Sequence, residues 1–262
     1  MSLNFASTSD RCYRADNDAD GTALDFSRSE DWTIALFARF EDLGGPNNCA
    51  VLTKYISTSN RNQTLFRVTD GSLPTSLHLY RYNRKFNEGF SAEDTWYLIS
   101  CSHASSSGEL TLYIFEMDGS AAIDGETATA DADVSDLSAP IEIGAWNEGA
   151  KDPMKGDIAN VAYFSSTLNR SQVTSYLRSP ANFVASRTDC EFYLPMLGTD
   201  ASSEPDWSGN GRNFIREGCT IGDNPPVATL GFDLGWEGTF GAAAAPGGSV
   251  PVAMHNYRRR RA

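Results

Sequence analysis

Hydrophobic and polar residues alternate with a period of two along much of this chain. Trp32, Ile34, Leu36, Ala38 and Phe40 share one face of a segment whose other face is Thr33, Ala35, Phe37 and Arg39, the pattern of a β-strand with one strongly apolar side. The same reading predicts strands at 49–55, 64–69, 77–82, 96–103, 110–116, 141–145, 158–164 and 190–194. Turn-forming clusters separate them, among them Asp42-Leu43-Gly44-Gly45-Pro46-Asn47-Asn48, Asp70-Gly71-Ser72 and Ser105-Ser106-Ser107-Gly108. With no helical crossovers between strands, pairing is expected to be antiparallel, giving a sandwich or barrel rather than a βαβ fold. Ile34, Leu36, Trp32 and Trp96 are expected in the core. One short helix is signalled. Asn169 can cap it with Gln172 as capping-box partner, Leu168 can staple to Val173, Tyr176 and Leu177 extend the apolar face, and Pro180 stops it. This helix is expected to plug one open end of the sandwich.

Composition supports a self-sufficient globular chain. At 262 residues with 40% hydrophobic content, a core large enough to need no staples is available, which excludes a disordered chain and a small disulfide scaffold. No apolar stretch reaches the roughly 18 residues of a spanning helix, and Met1-Ser2-Leu3-Asn4-Phe5 has neither a basic nor an apolar leader region. A soluble protein without an export signal and without membrane contact is the expectation. Cys12, Cys49, Cys101, Cys190 and Cys219 are odd in number and form no C-x-x-C pair, so buried free thiols in a reducing cytoplasm are expected.

Charge changes the picture of partners. With Arg258–Arg261 set aside from the 21 bases, 34 acidic side chains face 17 basic ones, and such a body repels nucleic acid and anionic membrane. Texture divides the chain as well: residues 1–227 read as one domain, and residues 228–262 as an extended Gly/Ala-rich arm with a basic end and Phe232, Trp236 and Phe240 as apolar anchors.

Several segments in order resemble the concanavalin A-like, laminin-G-like jelly-roll family. Ala23-Leu24-Asp25-Phe26 followed by Trp32-Thr33-Ile34-Ala35-Leu36 resembles its opening strands, and Asp94-Thr95-Trp96-Tyr97-Leu98 its mid-domain Trp strand. Gly108-Glu109-Leu110-Thr111-Leu112-Tyr113 is similar to its hairpin, and Gly156-Asp157-Ile158-Ala159-Asn160-Val161 with the helix to its late strand and cap. The resemblance spans roughly residues 22–220 and implies an all-β, two-sheet antiparallel jelly-roll sandwich, here with one short helix and an extended C-terminal arm. Cys190-Glu191-Phe192-Tyr193-Leu194-Pro195, Asp206-Trp207-Ser208-Gly209-Asn210-Gly211 and Asn224-Pro225-Pro226-Val227 further resemble the closing section of laminin-G-like proteins of tailed bacteriophages. That second resemblance implies a non-enzymatic virion protein, a capsid decoration or tail-associated component, assembled in the host cytoplasm.

Candidate chemistry is sparse. Related glucanases set two carboxylates on one strand through a Glu-x-Asp-x-Glu series; the nearest match, Glu204-Pro205-Asp206, contains proline and reads as a turn. His78, His103 and His255 form no metal or triad pattern, so no enzyme is expected. Asp16, Asp18 and Asp20 before Gly21 match the first half of a calcium loop, but Ser27 stands where a bidentate Glu would close it, which leaves calcium or a solvated acidic turn. Trp146, Trp207, Tyr80 and Tyr82 offer aromatic faces with polar neighbours for carbohydrate, or else core and subunit contacts. Arg258, Arg259, Arg260 and Arg261 read as an anchoring hook for an acidic groove or phosphate. The sequence thus points to a virion component held to other virion proteins by its arm, with a homo-oligomer and a host-surface glycan as further partners. The alternatives are a soluble carbohydrate-binding module and a glycoside hydrolase.

Overall fold

The computed structural model describes residues 2–7, 9–14, 29–43, 49–56, 61–68, 75–79, 84–90, 92–129, 140–145, 154–198, 200 and 202–226, of which 55–76 and 78–89, apart from the buried Leu77, are described by backbone alone. They belong to a first unit, Met1–Leu230; a second, Gly231–Ala262, lies outside the described residues. The strands are β1 (Ser2–Phe5), β2 (Arg11–Arg14), β3 (Trp32–Phe40), β4 (Cys49–Ile56), β5 (Arg61–Val68), β6 (Thr75–Leu79), β7 (Arg84–Phe90) and β8 (Trp96–Ala104). After them come β9 (Glu109–Glu116), β10 (Ala121–Thr129), β11 (Ile141–Ile143), β12 (Gly156–Phe164), the helices α1 (Arg170–Arg178) and α2 (Pro180–Ala185), and β13 (Cys190–Leu194), β14 (Ser203–Glu204), β15 (Phe214–Glu217) and β16 (Thr220–Gly222).

Two antiparallel sheets form the concanavalin A-like sandwich. Sheet A runs β10-β9-β8-β3-β12-β1-β16, with β13 sharing the β1 side of β12, and sheet B runs β14-β15-β2-β11-β4-β5-β6-β7. Between them Trp32, Ile34, Leu36, Ala38 and Phe40 of β3 interleave with Cys12, Val51, Leu52, Leu77, Ile141 and Ile143 from sheet B, as alternation predicts. The opposite face of β3 is buried too. Ala35 and Phe37 join Leu98, Phe115, Ala159 and Phe164 under Leu168, Val173, Tyr176, Leu177 and Val184, so the helices form a third layer on the outer face of sheet A. This corrects the expectation of an end plug: a sheet apolar on both sides needs cover on both.

The cap of α1 is as the sequence predicts. Asn169 Oδ1 accepts from Gln172 N at 3.1 Å and Gln172 Oε1 accepts from Asn169 N at 2.9 Å. Pro180 ends α1 by starting a second helix at its first position, where its missing N–H costs nothing. Trp96 is buried in the outer, helix-covered cluster rather than between the sheets. Within β12, Asn160 sits at φ 49° and forms a bulge between the pairs Ala159–Phe37 and Ala162–Ala35. The extra residue keeps Val161 and Tyr163 in the inter-sheet core and Ala162 and Phe164 under the helices. The chain crosses between sheets twice at one corner. Asp10 accepts from Ala6 N (2.8 Å) and Ser7 N (2.9 Å) where β1 leads to β2, and Gly218 (φ 74°) turns β15 into β16 so close by that a Cβ would lie 2.2 Å from Asp10 Oδ1.

Candidate ligand-binding surface

The turn between β14 and β15 carries an exposed indole. Residues 206–213 fold back on β13: Trp207 N donates to the Tyr193 carbonyl at 2.8 Å, and Asn210 Nδ2 donates to the carbonyls of Cys190 (2.9 Å) and Glu191 (3.0 Å). Asp206 is the hub. Its Oδ1 accepts from Tyr193 N and Ser208 N, both at 2.9 Å, and its Oδ2 from Ser208 Oγ (2.8 Å) and Arg212 N (2.9 Å). Arg212, itself buried, donates through Nη1 to the Glu191 carboxylate at 2.6 Å. A carboxylate satisfied by four donors fixes its backbone, so Trp207, 37% exposed, is presented from a rigid support. Trp32 and Trp96, in contrast, are buried.

A polar groove of about 340 Å³ opens on the other side of the helical layer. Its floor is the outer face of β9, where Glu109, Thr111 and Tyr113 alternate with the core residues Leu110 and Leu112. Its wall is the segment entering α1, with Thr167, Asn169 and Gln172. The Arg170 guanidinium pairs with Asp124 at 2.5 Å. Sequence reasoning passed over this groove, although strand parity alone puts Glu109, Thr111 and Tyr113 on one side.

On the outer face of sheet B the charges engage one another. Arg11 bridges Glu142 and Glu217, each at 2.8 Å, and its guanidinium stacks 4.1 Å from the Tyr13 ring centroid. The hydrogen bond from Arg11 holds the Glu217 carboxyl below its usual range. Around Arg39, the carboxylates of Asp157, Glu41 (3.5 Å) and Asp223 (3.3 Å) converge in the same self-satisfying manner.

The weak glucanase match is structural. Glu204 lies in the two-residue strand β14 rather than in a turn, and its side chain accepts from Leu197 N (2.6 Å) and Gly198 N (3.1 Å); burial raises its pKa. Asp206 is the hub described above, and the two acids face different partners. Among the described residues no group of three or more His, Cys, Asp or Glu side chains could hold a metal ion. Of the residues singled out for sugar, only Trp207 is described; Trp146, Tyr80 and Tyr82 lie outside the described residues, as do Asp16, Asp18, Asp20 and Arg258, Arg259, Arg260 and Arg261.

A family model for the concanavalin A-like lectin/glucanases superfamily matches residues 15–174. The chain belongs to that superfamily. A proposed carbohydrate-binding protein from Bacteroides ovatus superposes with a TM-score of 0.54 at 14% identity, over 86% of this chain and 60% of the other. The chain therefore spans 60% of the length of that relative. The CBM40 of the Ruminococcus gnavus IT-sialidase, bound to α2,3-sialyllactose, gives a TM-score of 0.48 at 10% identity over 68% of this chain and 97% of the other. The heptameric SAP-like pentraxin of Limulus polyphemus gives 0.47 at 13% identity, over 67% and 81%. A search of curated proteins gave no match. These matches identify no bacteriophage branch within the superfamily.

Proposed function

We propose that this concanavalin A-like domain is a non-catalytic carbohydrate-binding module, and the observation that carries the reading is Trp207 held outward on the Asp206 turn. Sugars present C–H faces that stack on aromatic rings, and rigid presentation lowers the entropy lost on binding. Membership of a lectin and glucanase superfamily supports the lectin side, because the described carboxylates nearest a catalytic pattern are engaged as structural acceptors. A glycan array followed by calorimetry tests it. Wild-type protein should bind a defined glycan without cleaving it, and Trp207→Ala should weaken binding at least about tenfold with an unchanged melting temperature. Hydrolysis of the bound glycan, or equal affinity in the variant, would overturn the reading.

A finer reading places the module on a tailed-bacteriophage particle, with residues 228–262 as its attachment and Arg258–Arg261 as the hook. What supports it is the sequence of the closing section and the arm. Replacing the four arginines by Ser should lower the copy number on purified particles while the domain stays folded; full occupancy would refute it. Calcium at Asp16, Asp18 and Asp20 belongs to the same proposal, and unaltered calcium affinity in Asp18→Ala with Asp20→Ala would remove it.

A further inference from the structure

We infer that the groove between the outer face of β9 and the segment entering α1 is a second saccharide site, selective for neutral rather than acidic sugars. The inference rests on the carbohydrate-binding reading but on none of the residues that carry it, since Trp207 belongs to the turn over β13.

The groove's chemistry follows from which atoms are already engaged. In the capping box Asn169 and Gln172 each direct the amide oxygen at the other's backbone N–H. Both amide NH2 groups therefore remain as donors at the groove wall. Among the described residues the Glu109 carboxylate and the Thr111 and Thr167 hydroxyls have no side-chain hydrogen-bond partner, and all three line the same space. Tyr113, with 9% of its surface exposed, contributes an aromatic edge on the floor. Amide donors facing a carboxylate acceptor and two hydroxyls match adjacent sugar hydroxyls, each of which both donates and accepts. A volume of about 340 Å³ lies at the lower end of small-ligand pockets and suits one or two sugar rings.

Charge sets the selectivity. At the start of α1 the Arg170 guanidinium is turned to Asp124 at 2.5 Å, and the backbone N–H groups of Asn169 and Gln172 are committed to the cap. Glu109 then gives the groove a negative sign, so a carboxylated or sulfated sugar meets a repulsion that a neutral sugar does not.

The test uses the full chain, neutral disaccharides (lactose, maltose and cellobiose) and sialyllactose as the acidic counterpart. Thr111→Trp fills the groove from a half-buried position on the outer face of β9, where a strand accommodates an aromatic residue, and Glu109→Ala removes the acceptor without touching the cap. Either change should lower affinity for the preferred neutral sugar by about tenfold or abolish one of two sets of sites in calorimetry, with the melting temperature and the Trp207-dependent binding unchanged. Neutral-sugar binding that is identical in wild type, Thr111→Trp and Glu109→Ala would overturn the groove and leave the Trp207 reading standing. Binding lost in these variants but retained in Trp207→Ala would do the reverse. Preference for sialyllactose at this site would refute the selectivity, and a chain that binds no sugar at all would refute both.

Discussion

Single residues in this protein are constrained by burial on both sides of one sheet. Ile34 and Leu36 are fully buried between the sheets, as alternation in the sequence predicts, so Leu36→Ala or Ile34→Ala should cost about 2–5 kcal/mol in chemical denaturation. A change within error would contradict their place in the core. The five cysteines are buried and free, and burial pushes the Cys219 thiol up to about 12, so at neutral pH it stays protonated and unreactive. Glu217 behaves in the opposite sense. Its folded-state pKa is depressed by Arg11, so its contribution is complete above the unfolded carboxylate range and is lost as pH falls through the folded value. The carboxylate is 46% exposed, which limits that contribution to less than about 1 kcal/mol. Glu217→Gln should accordingly lower stability slightly at pH 7 and leave a shallower loss on acidification, measured as denaturation midpoints from pH 6 to pH 2.

At the scale of elements, helix α1 is the clearest link from sequence to layer. Asn169→Ala removes one side of the capping box and should cost about 1 kcal/mol, read as a shift in the denaturant midpoint at constant slope. The cap was legible because its signal lies within four residues, and β3, β8 and β9 were legible because apolar residues alternate over a long run. Strands β1, β2, β7, β10 and β14–β16 escaped that reading for a physical reason. They are short or stand near a sheet edge, and β10 in particular is largely exposed, so no long apolar period marks them. The position of the helices was hidden because apolar residues on the second face of β3, β8 and β12 look the same whether a helix or another sheet covers them. For the candidate site, Trp207 could be picked out as an aromatic residue in a turn. The groove could not, because its character depends on which amide atoms the capping box uses.

At the scale of the described unit, the two proposed recognition surfaces lie on or beside sheet A and its helical layer, while the charges at the described end of sheet B are occupied with one another. The order of strands in sheet A has a temporal consequence. Strand β1 is placed between β12 and β16, with Leu3 opposite both Ile158 and Ile221. A ribosome delivers Leu3 early and Ile221 more than two hundred residues later, so the first strand has one flank unpaired until synthesis of this unit is nearly finished. At the usual rate of about 5–20 residues per second, that wait is on the order of ten seconds or more. The nascent domain should therefore remain open to protease until β16 has emerged, and chains arrested before residue 220 should be digested while chains extended well past residue 226 resist. Protection acquired by arrested chains that lack β16 would show that β12 alone can seat the first strand.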